Sequence, residues 1–149
     1  MRKKLYLAYG SNLNIKQMSQ RCPAAKPVGA TVIKNYTLIF RGGRGNAVAT
    51  IEPFKGRSVP CVLWEITPSD ENALDRYEGF PVLYRKETMK VRFSKRTVEA
   101  MVYIMNDSRS LGSPSCYYYS VIAAGYNTAG FDISILKQAV RESEGEYNG

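Results

Sequence analysis

Runs of alternating hydrophobic and polar residues, rich in β-branched and aromatic side chains, occur along most of the chain. Such alternation is typical of half-buried strands. The second run predicts one long strand, or two strands with a bend at Lys34 and Asn35. The last two runs are expected to form a hairpin around Ser94 and Lys95. The pattern predicts strands over 5–9, 28–40, 47–51, 59–66, 82–93 and 97–105, with Pro53 and Gly56 separating the third from the fourth.

Helix signals occur at four places in the sequence. Asn14 is expected to cap the first helix, with Gln17 as its capping-box partner. Thr67 is expected to cap a second helix that runs to Glu78 and ends at Gly79. The four helices are predicted over 15–21, 68–78, 115–126 and 133–142.

The order of these elements indicates the fold class. Strands follow one another mostly as in hairpins, with helices interspersed, and this favours an α+β fold with a curved antiparallel or mixed sheet. A length of 149 residues suits one domain, and no repeat or low-complexity linker divides the sequence. We therefore expect a single domain over residues 1–149, with a frayed tail at 144–149.

The sequence contains no histidine, and this excludes several kinds of catalytic site. A Ser-His-Asp relay, a Cys-His relay and a histidine-containing zinc site all need that residue. Acid–base chemistry must then come from Asp, Glu, Lys, Tyr or Cys. The 21 Lys and Arg residues against 13 Asp and Glu give a net charge of +8. A basic chain either binds nucleic acid or attracts a small acidic substrate, and the charge alone leaves both open.

The cysteines and the apolar runs limit the chemistry and the location of the protein. Cys22, Cys61 and Cys116 are far apart and odd in number, so they predict neither a disulfide framework nor a metal or redox pair. No apolar run approaches the roughly 20 residues that span a bilayer. We expect a cytoplasmic protein that does not enter a membrane, with its thiols reduced.

Glu78 is the first candidate for chemistry. It falls in the last turn of its predicted helix, where the macrodipole disfavours a carboxylate. A carboxyl group there should have a raised pKa, above all if it is partly buried. A chain without histidine needs such a group as a general base. The ordinary alternative is a solvated glutamate paired with Arg76 or Arg85.

The second candidate is the segment that joins the first strand to the first helix, here named the 9–13 turn. It consists of Tyr9, Gly10, Ser11, Asn12 and Leu13. Glycine permits a tight turn with close backbone approach, and free N–H groups at a helix start bind an anion or a developing oxyanion. An ordinary capped turn is the alternative.

Two further segments draw attention by composition. Tyr117, Tyr118 and Tyr119 are consecutive on a predicted helix, so their side chains point about 100° apart and at most two can face one pocket. The Arg-Gly-Gly-Arg-Gly loop at 41–45 is similar to flexible RNA-binding segments, but it occurs once and the other basic residues are spread along the chain.

Three short motifs follow one another in a fixed order. They are Tyr-Gly-Ser-Asn-Leu after a strand at 9–13, Leu-Asp-x-x-Glu-Gly at 74–79, and Pro-Ser-x-x-Tyr at 114–118 before an aliphatic helix and glycine. In this order and spacing they resemble the gamma-glutamylcyclotransferase-like family, over about residues 4–131. The resemblance implies a small mixed β-barrel flanked by helices.

The resemblance also implies a reaction. Family members release 5-oxoproline from γ-glutamyl compounds without metal or organic cofactor, because the substrate's own α-amine attacks its γ-carbonyl. The role of general acid and base maps onto Glu78, the substrate-binding donors onto the 9–13 turn, and the substrate-contacting tyrosine onto Tyr118. Tyr77, directly before Glu78, is expected to narrow the site. The leaving group and the oligomeric state stay open.

A second function remains possible from the sequence. A non-catalytic protein with the same fold could use its basic surface for RNA or another acidic partner. Glu78 argues against it, because a pure binding protein has no need of a carboxylate at the end of that helix. We therefore expect a small-molecule γ-glutamyl substrate rather than nucleic acid as the partner.

Overall fold

The computed structural model describes residues 3–106 and 109–144 of the chain. Strands and helices follow the predicted order, with a 3₁₀ turn inserted after the first strand. The elements are β1 (Lys4–Ala8), the 3₁₀ turn (Ser11–Leu13), α1 (Ile15–Arg21), β2 (Lys26–Arg41), β3 (Val48–Ile66), α2 (Pro68–Glu78), β4 (Tyr84–Phe93), β5 (Arg96–Met105), α3 (Cys116–Ala129) and α4 (Ile133–Glu144).

The five strands form one mixed sheet in the order β2-β3-β1-β5-β4. The short strand β1 lies in the middle, antiparallel to β3 and parallel to β5, and Tyr6 pairs with Trp64 on one side and Met101 on the other. The other two neighbouring pairs, β2 with β3 and β4 with β5, are antiparallel. The predicted α+β class with a mixed sheet is confirmed.

The sheet is not closed, so the barrel expected from the resemblance is not complete. The edge strands β2 and β4 approach each other at Thr31, whose hydroxyl donates to the Arg92 carbonyl at 2.6 Å. The Phe93 ring packs against Gly29 nearby. Side chains therefore bridge the gap, instead of a ladder of backbone hydrogen bonds.

The strand β3 is longer than the sequence predicts. Residues 47–51 and 59–66 were expected to be separate strands, but both belong to one strand because both pair with β2. The predicted break is a bulge within β3, since Lys34 pairs with Ser58 whereas Tyr36 pairs with Pro53. Asn35 has φ 64° at this point and its side chain accepts from the Gly56 N–H at 3.0 Å.

The helix boundaries follow their capping residues. Thr67 and Asp70 form a capping box at the start of α2, and Gly79 ends the helix in the left-handed region at φ 70°. Asn14 caps α1 by accepting from the Gln17 N–H at 3.0 Å. The Gln17 side chain does not complete a capping box, because it donates instead to the Tyr117 hydroxyl at 3.1 Å.

The last two helices pack against β2 and the 3₁₀ turn. Helix α4 is joined to the sheet by Ser143, whose hydroxyl accepts from the Phe40 N–H at 2.9 Å. It ends at Glu144, so the predicted fraying does not begin there, and residues 145–149 lie outside the described part of the chain. None of the helices described has the length and apolarity required to cross a membrane. The single domain over 1–149 stays a prediction.

Close packing of α3 on the 3₁₀ turn fixes where the 9–13 turn lies. Leu13 is buried, and a Cβ atom added at Gly125 would lie 2.6 Å from the Leu13 Cβ and 2.7 Å from its carbonyl carbon. Glycine at position 125 therefore allows the helix backbone to approach the turn.

Gly125→Ala should destabilise the protein by about 1–3 kcal/mol, because the added methyl group forces the turn and α3 apart. The measurement is thermal and denaturant unfolding. Gly43→Ala is the matched control, since a Cβ there meets no atom within 4 Å. Equal stability of the two variants would show that the contact between α3 and the 9–13 turn does not require glycine at position 125.

Candidate active site

A cavity of about 280 Å³ opens at the carboxyl end of β1. Its walls come from β1, the 9–13 turn, the start of β3, the end of α2, β4, β5 and α3. Six of its lining residues are tyrosines, and Glu78 is the only charged residue in the lining that the structure describes. The cavity is lined by Tyr6, Tyr9, Gly10, Ser11, Asn12, Val48, Ala49, Tyr77, Glu78, Leu83, Tyr84, Tyr103 and Tyr118.

Glu78 is the last residue of α2 and its half-buried side chain faces this cavity. Burial raises the pKa of its carboxyl group to about 7, while the positive charge of Arg21 acts in the opposite direction. Within residues 3–106 and 109–144 the carboxyl group has no hydrogen bond or ion pair, and Arg85 pairs with Glu87 at 2.6 Å instead. Glu78 is therefore poised to exchange a proton near neutral pH.

The 9–13 turn presents backbone donors at the cavity. Its 3₁₀ geometry uses the N–H groups of Leu13 and Asn14, which donate to Gly10 and Ser11 carbonyls at 3.0 Å each. The N–H groups of Gly10, Ser11 and Asn12 lie at the N-terminal end of that turn, where intrahelical acceptors are absent. Within the described part of the chain these three N–H groups have no hydrogen-bond acceptor, so they can donate to a ligand.

Leu13 does not line the cavity, which corrects its assignment as a substrate-binding residue. Its side chain is 1% exposed and packs beneath α3 at Gly125. Its N–H group is also engaged within the turn. The leucine of this motif therefore anchors the turn in the core.

The remaining predicted residues meet at the cavity. The Tyr9 hydroxyl donates to the Tyr103 carbonyl at 2.7 Å, and the Tyr118 hydroxyl accepts from the Ala49 N–H at 3.1 Å. Burial raises the pKa of both phenols, so both stay neutral in the physiological range. Of the three consecutive tyrosines only Tyr118 lines the cavity, and Tyr117 is 71% exposed.

Sequence analysis missed three of the tyrosines in the walls: Tyr6, Tyr84 and Tyr103. They lie on β1, β4 and β5, within segments for which the sequence analysis predicted strands and no functional residue. Tyr84 donates to the Ala49 carbonyl at 2.5 Å and Tyr103 donates to Asp75 Oδ1 at 2.6 Å, so both phenols are fixed in orientation. The abundance of tyrosine, 11 of 149 residues, was the one available signal.

Comparison with known proteins identifies the family of this chain. The chain belongs to the family of gamma-glutamyl cyclotransferase, AIG2-like proteins, whose profile matches residues 6–120. Gamma-glutamylcyclotransferase from Homo sapiens is 27% identical over 154 residues, which cover 97% of this chain and 81% of the relative. The Bos taurus protein of the same name shows the same identity and coverage. The protein is thus an enzyme of the gamma-glutamylcyclotransferase-like kind.

Solved structures show the same fold. A structure of gamma-glutamyl cyclotransferase superimposes with a TM-score of 0.80 at 24% identity, covering 93% of this chain and 86% of the other. YkqA from Bacillus subtilis also gives a TM-score of 0.80, at 20% identity, covering 97% of this chain and 55% of YkqA.

Gly10→Val should weaken binding of 5-oxoproline, the product that the resemblance implies, by about tenfold or more while melting changes little. A Cβ at this position lies 3.5 Å from the Ala49 Cβ and 3.8 Å from the Tyr118 hydroxyl, so the further methyl groups of valine crowd the cavity. Gly10→Ala is the control that should bind and melt nearly normally. Collapse of melting with normal binding in the folded fraction would identify the turn as purely structural.

The raised pKa of Glu78 also predicts how stability depends on pH. The folded protein holds a proton on this group between its usual pKa of 4.5 and about 7, so its contribution to the free energy of unfolding falls as pH rises through that window. Glu78→Gln removes this loss. Its melting temperature relative to wild type should therefore be higher at pH 8 than at pH 5, whereas the exposed-site control Glu99→Gln should show no such trend. A flat difference for Glu78→Gln would contradict the raised pKa.

Proposed function

We propose that this protein releases 5-oxoproline from a γ-glutamyl amino acid, peptide or amine. The substrate's α-amine attacks its γ-carbonyl carbon, a five-membered lactam closes, and the bond to the leaving nitrogen breaks. Glu78 takes a proton from the attacking nitrogen and returns it to the leaving one. No water is consumed, and the products are 5-oxoproline and a free amine.

The observation that carries this proposal is the carboxyl group of Glu78 at the cavity, which has no hydrogen-bond or ion-pair partner among the residues that the structure describes. A general base works best when its pKa lies near the operating pH, and burial raises that of Glu78 to about 7. Because the chain has no histidine, no imidazole competes for this role. The same group can act as acid and base in succession, as the proton transfer requires.

The cavity walls support the other demands of the reaction. Cyclisation needs the amine and the carbonyl of one flexible molecule to meet, which is a problem of proximity. A cavity of about 280 Å³ with phenols fixed by hydrogen bonds can hold a folded γ-glutamyl group. The N–H groups of Gly10, Ser11 and Asn12 can donate to the substrate carboxylate or to the oxyanion that develops on the γ-carbonyl.

The basic loop offers less support for nucleic-acid binding. Arg41 donates to Glu52 through Nε at 2.5 Å and through a second nitrogen at 3.1 Å, and to the Arg109 carbonyl at 2.6 Å. A guanidinium group engaged in this way is held within the fold. We propose that the excess positive charge attracts an acidic substrate instead.

We propose a cytoplasmic location because the three cysteines are free thiols, as is typical of proteins in a reducing compartment. Cys22 and Cys61 are buried, Cys116 is exposed, and all three are free. Burial raises the pKa of the Cys22 thiol to about 11 and that of Cys61 to about 12, so both behave as inert apolar groups.

Glu78→Gln should lower kcat by about 10²–10⁴-fold, because the base is lost while the shape of the side chain is kept. The measurement is 5-oxoproline formation by mass spectrometry over a panel of γ-glutamyl dipeptides and γ-glutamylamines. Glu99→Gln is the control for loss of one carboxylate. A Glu78→Gln enzyme within threefold of wild type on the best substrate would place the base elsewhere.

The proposed role of Glu78 also predicts how kcat/KM of the wild-type enzyme depends on pH, which the same assay can measure. Because the ionised form of Glu78 is needed to accept a proton, kcat/KM should rise with pH and level off above about 7. No 5-oxoproline from any compound, together with RNA binding that weakens steeply with salt, would support the binding-protein alternative.

A further inference from the structure

We propose that Arg21 is a positioning residue that fixes the 9–13 turn against the end of α2 that carries Glu78. This inference rests on the proposed function, because it assigns Arg21 a part in holding the base and the backbone donors in one geometry. Arg21 is the last residue of α1, and it is not among the cavity lining. It therefore acts through its neighbours.

A closed ring of contacts joins the two parts of the site. The Arg21 guanidinium donates to Asn12 Oδ1, and its central carbon lies 3.5 Å from the centre of the Tyr77 ring. The Tyr77 hydroxyl in turn lies 2.7 Å from Ser11 Oγ, within hydrogen-bond distance. Ser11 and Asn12 are adjacent in the 9–13 turn, and Tyr77 directly precedes Glu78. This closed set of contacts therefore links the backbone N–H donors of the turn to the carboxyl group of Glu78.

Two more hydrogen bonds hold this ring in place. Arg21 donates through its second terminal nitrogen to Gln17 Oε1 at 3.1 Å on its own helix. Asn12 Nδ2 donates to the Tyr6 hydroxyl at 2.9 Å on β1. The guanidinium is thus hydrogen-bonded at both terminal nitrogens and stacked with one face on the Tyr77 ring. These contacts suit a residue that positions its neighbours better than one that binds substrate directly.

Besides its hydrogen bonds, Arg21 has a second effect on the site, because its positive charge changes the pKa of Glu78. Among the described residues, Glu78 interacts electrostatically with five phenols and one cation. They are Tyr6 on β1, Tyr9 in the 9–13 turn, Tyr84 on β4, Tyr103 on β5, Tyr118 on α3 and Arg21 on α1. The phenols are neutral near pH 7 because burial raises their pKa. The positive charge of Arg21 lowers the pKa of Glu78, whereas burial raises it. Arg21 therefore keeps this pKa from rising further above about 7.

Three variants separate these effects. Arg21→Met removes the charge and the hydrogen bonds but keeps an unbranched side chain. Arg21→Lys keeps the charge but loses the planar two-armed group. Arg76→Met is the matched control, because Arg76 is exposed on α2 two residues before Glu78 and its guanidinium has no bond with the described residues. The measurements are kcat and KM against pH on the best γ-glutamyl substrate, and an NMR titration of the Glu78 carboxyl carbon.

Arg21→Met should shift the midpoint of the acidic limb of kcat/KM, and of the NMR titration, to a pH about 0.5–1 higher. Its KM should rise about tenfold, the effect of losing roughly one charge-assisted hydrogen bond. Arg21→Lys should keep the wild-type midpoint and still raise KM. Arg76→Met should match wild type within twofold. A midpoint and KM for Arg21→Met equal to those of Arg76→Met would overturn the proposal.

Two further readouts keep the test decisive. If Arg21→Met does not fold, Arg21→Lys and Tyr77→Leu still break the ring, and an unchanged KM in both would overturn the proposal. If wild type makes no 5-oxoproline, the proposed function fails by itself. In that case NMR chemical shifts of the backbone amides of Gly10, Ser11 and Asn12 test the role of Arg21. Relative to wild type, these shifts should change more in Arg21→Lys than in Arg76→Met. Equal changes in the two variants would show that Arg21 does not position the turn.

Discussion

The short strand β1 pairs on both of its sides, with β3 and with β5, and the position of the cavity depends on that double pairing. A five-residue strand fixed in the middle of the sheet delivers its last residues to a defined point. The 9–13 turn begins there, and Leu13 packs beneath α3 to hold it. The N–H groups at the start of this turn are therefore positioned by the central strand of the sheet and by the buried Leu13.

Burial of one carboxyl group is the second constraint on the site. Glu78 stands at the end of a helix whose length is fixed by a capping box at Thr67 and a left-handed glycine at position 79. Five phenols surround the group, and burial raises the pKa of each of them: Tyr6, Tyr9, Tyr84, Tyr103 and Tyr118. The desolvation that raises its pKa to about 7 costs stability once the carboxyl group is ionised. On the proposed mechanism, the same desolvation makes Glu78 the proton acceptor of a chain without histidine.

The contacts around Arg21 show how these two constraints are coupled. The 9–13 turn follows β1 and Glu78 ends α2, and these two elements are more than fifty residues apart in sequence. Each part is locally well defined by its own caps and hydrogen bonds. Their relative position depends on side chains from α1, so a surface between three elements becomes part of the geometry of the site.

Local signals in the sequence determined much of this protein. Alternation identified the strands, and the capping residues Asn14, Thr67 and Gly79 placed the helix ends, because both depend on neighbours within a few residues. The three motifs also indicated Glu78, Tyr118 and most of the 9–13 turn. Tertiary structure alone decided that β3 is continuous through its bulge, that the sheet stays open, and that Leu13 belongs to the core. It also brought Tyr6, Tyr84 and Tyr103 into the cavity walls. These outcomes depend on pairing and packing between residues distant in the chain, which no local pattern of side chains encodes.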